Sequence, residues 1–178
     1  MKTYKNILLI SGAGRNVGKT ELACSLISRF SESLNVVAVK ISPHFHDEQN
    51  RDKIIYKDNG LMIWNEDDTS GKKDSSRMLI AGAKKAFFVQ STDEYLIQAL
   101  EIIFKSINST VPLIVESGGL GRFIKPGISI YVTDELNKKT LKNAELRDRS
   151  DIVTGINQDS FDLSRIHFTD NCWKIIES

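Results

Sequence analysis

The sequence predicts an α/β protein: one doubly wound, mostly parallel sheet with helices on both faces and a β-hairpin inserted near residues 54–64. Two observations carry this. A short apolar run, Ile7-Leu8-Leu9-Ile10, leads straight into a Gly-rich turn and then a helical pattern. Further apolar runs, Val36-Val37-Ala38-Val39, Ala86-Phe87-Phe88-Val89 and Val111-Pro112-Leu113-Ile114-Val115, recur with helical stripes between them. Continuous apolar runs suit strands buried on both faces of a parallel sheet. The length of 178 residues with 40% apolar content suits one domain, 1–178, with one core.

The elements follow in order. After the first strand, Leu22, Leu26 and Phe30 form a helical stripe with Ala23 and Ile27 beside them. Val36 to Ile41 is a second strand, parallel to the first. A polar stretch follows, and then Ile54-Ile55-Tyr56-Lys57 and Leu61-Met62-Ile63-Trp64 flank Asp58-Asn59-Gly60. Asn-Gly between apolar runs signals a hairpin whose two turn positions take positive φ. Its Tyr56, Ile63 and Trp64 would either face a partner or pack on the sheet. Residues 65–76 are polar and read as a loop. A short helix then starts at Asp74 or Ser75 as N-cap. Ser91-x-x-Glu94 reads as a capping box opening a helix with Leu96, Leu100, Ile103 and Ile107 on one stripe. The Val111 strand ends at Glu116. Residues 117–127 hold four glycines and read as a mobile loop. Residues 128–132 alternate like a strand, a helix is expected around 139–146, and residues 151–154 and 173–176 are candidate last strands.

Composition narrows the function classes. Lys+Arg 24 against Asp+Glu 23 leaves a formal charge of +1, so no global basic excess argues for nucleic acid. Cys24 and Cys172 form neither a metal spacing nor a disulfide framework, which makes a reducing, cytoplasmic setting the expectation. No signal peptide or membrane span is expected either.

The chemistry concentrates in Gly12-Ala13-Gly14-Arg15-Asn16-Val17-Gly18-Lys19-Thr20. A Gly-rich turn ending Gly-Lys-Thr, between a strand and a helix, is the setting of a phosphate-binding P-loop. Its backbone N–H groups can face phosphate oxygens, and the helix N-terminus adds positive potential. Gly14, Arg15, Asn16, Val17, Gly18, Lys19, Thr20 and Glu21 are the candidate nucleotide-binding residues. Lys19 would reach the β/γ-phosphates as the catalytic cation, and Thr20 would sit on Mg²⁺. The strict motif places Gly where Ala13 stands, a small departure.

In an open α/β sheet, ligands bind at the carboxyl ends of strands. Glu116 ends an apolar strand there and is the second candidate Mg²⁺ group with Thr20, with Glu standing where Asp is more usual. Asp47 could orient an attacking water, or lie on a solvated loop. His44 and His46 lack the partners of a zinc site and are candidates for a second ligand or a partner. Lys40, Lys72 and Arg122 join them, with Lys125 as a further anion contact. The base is open between GTP and ATP, since no Asn-Lys-x-Asp follows a strand.

These motifs together resemble the signal-recognition/MinD/BioD class of P-loop NTPases. Within it, the similarity is to the molybdopterin-guanine dinucleotide biosynthesis adaptor family (MobB). Lys40…His44-Phe45-His46-Asp47 looks like a stretched form of that family's Lys-His-Asp segment. Gly71-Lys72-Lys73-Asp74-Ser75-Ser76-Arg77 running to Ala81-Gly82-Ala83 looks like its Gly-Lys-Asp-Ser loop and the helix after it. Val115-Glu116-Ser117-Gly118 looks like its strand end. The resemblance spans roughly residues 6–120. It implies GTP binding with weak hydrolysis, a homodimer, and assistance to the guanylyltransferase that attaches GMP to molybdopterin. Gly118-Gly119-Leu120 also resembles dethiobiotin synthetase, which implies the alternative of an ATP-dependent small-molecule ligase or kinase. That family's acidic loop residue and Lys-Pro are absent here, where Gly14 and Lys40-Ile41 stand.

Overall fold

A computed structural model of the chain describes residues 1–45, 53–133, 143–155 and 162–176. Among them, eight strands form one sheet in the order β3-β4-β5-β2-β6-β1-β7-β8. The strands are β1 (Lys2–Gly12), β2 (Val37–Ser42), β3 (Ile54–Asp58), β4 (Leu61–Glu66), β5 (Lys85–Ser91), β6 (Leu113–Glu116), β7 (Ile124–Thr133) and β8 (Ile152–Gly155). From β5 to β8 every neighbouring pair is parallel. β3 and β4 are antiparallel to each other, and β4 is antiparallel to β5. The expected hairpin is thus present and docks on the free edge of β5, between β2 and β5 in sequence but outside them in space.

Helices α1 (Lys19–Ser31) and α2 (Asp74–Ile80) cover one face, and α3 (Leu96–Ser106) covers the other. The strands supply alternate residues to the two cores. Leu8, Ile10, Ala38 and Ile114 meet Ala23, Leu26, Ile27 and Met78 on the first face. Ile7, Leu9, Val39 and Val115 meet Leu96, Leu100 and Ile103 on the second. Double-sided burial is why these strands read as unbroken apolar runs. No described helix is long and apolar enough to cross a membrane.

Several local expectations are corrected. At the hairpin tip only Gly60 takes positive φ, 81°, and a Cβ there would come within 2.7 Å of the Tyr95 ring. Ser91 does not open a capping box. It is still in the β5 ladder opposite Leu61, so its extended backbone cannot serve as an N-cap, and its hydroxyl donates to the Thr92 carbonyl at 2.8 Å. A 3-10 turn over Asp93–Tyr95 intervenes before α3, and Ile107 lies beyond the last helical residue in an extended conformation. Asp74 and Ser75 are the first residues of α2 rather than its cap, which is Lys73. Ile63 and Trp64 are buried, and the Tyr56 hydroxyl accepts from Gln98 at 3.0 Å, so these residues pack on the sheet and α3.

The glycine-rich 117–127 segment is not a loop throughout. Its Leu120–Arg122 stretch is a 3-10 turn anchored by the buried Leu120, and β7 begins at Ile124. Gly127 lies inside β7 at a register shift against β1, where a Cβ would overlap the Lys5 carbonyl. The glycine there serves close strand contact rather than mobility. The described part of the helix expected near 139–146 is one turn, α4 (Ala144–Arg147). A second hairpin, β9 (Ile166–Thr169) and β10 (Cys172–Ile175), closes the chain through Asp170 and Asn171, both at positive φ of 54° and 58°. It seats Trp173 against Phe30 and Phe168, and the indole N–H donates to the Asn6 carbonyl at 3.0 Å.

Candidate functional site

The loop of residues 12–18 joins β1 to α1 at the carboxyl edge of the sheet. Gly12 is fixed by close packing, since a Cβ would stand 2.6 Å from the Val132 carbonyl oxygen. Ala13 donates its N–H to that same carbonyl at 3.0 Å, so an Ala at this position fits the backbone. Asn16 and Gly18 turn the chain with φ of 59° and 90°. Val17 is buried and ties the loop to the core, whereas Arg15 and Asn16 are exposed. Gly18 caps α1 without a side-chain acceptor. The N–H groups of the first turn therefore lack a capping side chain, the arrangement that favours an anion.

Lys19 reaches back over the loop and donates to the Gly14 carbonyl. Burial holds its ammonium below the ordinary lysine range, against the opposing pull of Glu116. Thr20 donates its hydroxyl to Glu116 Oε2 at 2.8 Å. Glu21 points away from the loop and pairs with Arg77 of α2 at 2.5 Å.

Register explains what surrounds Glu116. Ile10, Glu116, Lys40 and Phe88 are level with one another on β1, β6, β2 and β5. Level partners in neighbouring strands point to the same face, about 4.8 Å apart. Lys40 Nζ accordingly lies 2.6 Å from Glu116 Oε1, with side-chain exposures of 16% and 3%. The same ammonium lies 2.6 Å from Asp74 Oδ2 at the start of α2. One chain of contacts, Thr20–Glu116–Lys40–Asp74, thus crosses α1, β6, β2 and α2.

The residues fit a hard cation. A Thr20 hydroxyl that gives its proton to Glu116 keeps lone pairs for a metal, and the buried carboxylate is an oxygen donor at the same place. Among the described residues no group of three or more His, Cys, Asp or Glu could hold a metal ion.

The remaining candidates scatter. His44 is exposed just beyond β2, its N–H bonded to Ser42 Oγ at 3.2 Å. His46 and Asp47 lie outside the described residues. Lys72 is exposed on the loop before α2. Arg122 donates to Glu145 at 2.9 Å, Asp93 at 3.0 Å and Asn143, so it braces three segments. The bond it donates to Glu145 lifts its guanidinium above the ordinary value, and Arg122 in turn holds the Glu145 carboxyl low. Lys125 is corrected: it pairs with Thr3 at the amino end of β1, the opposite edge of the sheet from the phosphate loop.

Two residues went unnoticed as part of this region. Asp74 stood only as a helix cap and in a motif, yet it meets Lys40. Gln90, at the carboxyl end of β5, is fully buried with neither amide atom hydrogen-bonded. A cleft of about 440 Å³ is lined by Trp64, Phe88, Glu66 and Lys73, the cap of α2, among others.

No protein-family model matches the chain, and no curated protein matches it. A solved structure of similar fold is LpxK from Aquifex aeolicus, an "apo" form in complex with ATP, with a TM-score of 0.55 and 14% sequence identity. The match covers 96% of this chain and 53% of the other, so this chain spans about half the length of LpxK. At that identity the likeness speaks to architecture alone: the chain shares the α/β fold of that protein, a mostly parallel sheet with helices on both faces.

Proposed function

We propose that the chain binds a Mg²⁺–nucleoside triphosphate, GTP or ATP, in the loop of residues 12–20. The observation that carries this is the Thr20–Glu116 hydrogen bond of 2.8 Å beside Lys19. It joins the end of a phosphate-type loop to a buried strand-end carboxylate in one oxygen-rich corner. Loop amides and Lys19 would offset charge on the β- and γ-phosphates, while Thr20 and Glu116 would hold Mg²⁺, which neutralises the phosphates when bound. Turnover by this chain alone would be slow, because Arg122 is engaged with Glu145 and Asp93.

The biological task we propose is that of an adaptor of the molybdopterin-guanine dinucleotide type, serving a guanylyltransferase partner as a homodimer. What supports it is the 71–83 segment, whose Asp74 reaches into the site. A second reading is phosphoryl transfer to a small molecule. It is favoured by the cleft at Lys73, the cap of α2, and by the fold shared with LpxK, a protein solved with ATP.

Calorimetric titration with GTP and ATP, with and without Mg²⁺, tests the proposal. Lys19→Ala or Thr20→Ala should abolish Mg²⁺–nucleotide binding and leave the far-UV spectrum unchanged. Unchanged affinity in folded Lys19→Ala would overturn it. Turnover that appears only with a protein partner favours the adaptor, and turnover that appears with a small acid or alcohol favours transfer.

A further inference from the structure

We infer that Asp74 is a positioning residue that holds Lys40 on Glu116, and that a Mg²⁺–triphosphate entering the site competes with the Lys40–Asp74 contact and loosens α2. This rests on the nucleotide reading above and adds to it a link between occupancy and the 71–83 segment.

The argument is one of charge. Lys19 lies within electrostatic reach of Glu116, Lys40 and Asp74, and Lys40 pairs with both carboxylates, so two cations and two carboxylates balance in formal charge. Lys40 is the bridge, 2.6 Å from each carboxylate. A triphosphate still carries net negative charge after binding Mg²⁺. It draws both ammonium groups and has use for one carboxylate beside its metal, the buried Glu116. Asp74 is then a surplus negative charge close to phosphate. It is also the carboxylate best able to leave, with 41% of its side chain exposed against 3% for Glu116.

The local structure lets that departure travel. Asp74 is the first residue of a seven-residue helix whose cap, Lys73, makes no side-chain capping bond. Just before it Gly71 has φ of 74°, held by a hydrogen bond from its N–H to the buried Ser76 hydroxyl at 2.9 Å. At the outer side Arg77 is tied to Glu21 of α1, in the turn that follows the phosphate loop. So α2 is tethered to the nucleotide site at two points, and one of them competes with the ligand. By reciprocity, a ligand that breaks the Lys40–Asp74 contact must bind more tightly once that contact is already gone.

The test uses the full chain with Mg²⁺–ATP and Mg²⁺–GTP. Affinities are measured by calorimetry, and hydrogen exchange is followed in the α2 amides from Arg77 onward. Asp74→Ala should tighten binding about two- to fivefold, the worth of one partly exposed ion pair. Its α2 should exchange faster than wild type without nucleotide and gain little when nucleotide is added. Wild-type α2 should speed up on binding, and Asp74→Glu should restore wild-type behaviour. If Asp74→Ala binds equally or more weakly, or if wild-type α2 exchange ignores bound nucleotide, the inference fails while the nucleotide reading stands. If wild type binds neither nucleotide, the nucleotide reading fails and takes the inference with it.

Discussion

Removing the ammonium from the centre of the site has a calculable consequence. In Lys40→Met the Glu116 carboxylate, 3% exposed, loses its cation but keeps the Thr20 hydroxyl at 2.8 Å. Breaking a buried pair by deleting one partner costs roughly 3–5 kcal/mol, because the survivor is a buried charge without compensation. Here the retained hydroxyl, the nearby Lys19 and the open edge of the sheet lower that to about 2–3 kcal/mol. The lost Asp74 contact adds less than about 1 kcal/mol, since that carboxylate is largely solvated. For a domain of this size the loss corresponds to a fall of roughly 4–12 °C in Tm.

The loss should depend on pH with a definite sign. An unpaired carboxylate in a buried place has its pKa raised above that of the unfolded chain. The native variant then takes up a proton more readily than the unfolded one. Its deficit is full above the raised pKa and shrinks as pH falls through it. Urea unfolding at pH 8 and pH 5 reads this directly, as the gap between wild type and Lys40→Met. Adding Glu116→Gln to Lys40→Met removes the orphaned charge yet leaves an acceptor for Thr20. The double variant should return to within about 1 kcal/mol of wild type at pH 8. A gap equal at both pH values, or a double variant no better than Lys40→Met, would refute the reasoning.

Two further outcomes follow from the same region. Burial depresses the Lys19 pKa, so the charged ammonium opposes folding in full below that pKa, and the penalty shrinks as pH rises from it to the ordinary lysine value. Nucleotide-free Lys19→Met should therefore have a higher Tm than wild type at pH 7, with the difference fading in alkali, and thermal melts at pH 7 and 10 check this. Gln90 leaves two buried polar atoms unbonded, which weighs against folding by about 1–3 kcal/mol. Gln90→Met should accordingly raise the urea midpoint, and a lowered one would show that the amide is satisfied in solution.

The sheet and the Gly-rich turn between β1 and α1 were legible because their signals are local. Apolar runs mark parallel strands wherever both faces are buried, and Gly-Lys-Thr sits between a strand and a helix within a few residues. Glu116 was legible by the same logic, as the polar stop of the Leu113–Glu116 strand. Failures came where composition stood in for contact. The glycines of 117–127 suggested a loop, but Gly127 is there to let β7 approach Lys5, which carries Lys125 to the far edge of the sheet. The last hairpin had a turn signal in Asp170-Asn171, yet the flanking strands are short and broken by polar residues. Asp74 could not be placed from spacing, because its meeting with Lys40 depends on the hairpin docking outside β5 and on α2 descending over β2 and β5.

The glutamate at 116, where an aspartate is the commoner choice, gains a reason from this arrangement. Its backbone is level with Ile10 on one side and Lys40 on the other, so the carboxylate must serve neighbours on two different layers. Thr20 comes down from α1, and Lys40 lies in the sheet one strand away. The two oxygens divide between them at 2.8 and 2.6 Å. An aspartate would withdraw the carboxylate by about 1.5 Å, one carbon–carbon bond. Thr20 is fixed by the helix and cannot follow such a shift, whereas the long Lys40 side chain can. The shorter acid would thus keep the lysine and give up the threonine, the contact on which the proposed nucleotide site rests. The longer side chain lets one buried carboxylate do both, and this is what makes Lys40, rather than a second acid on β6, the natural link from the phosphate loop to α2.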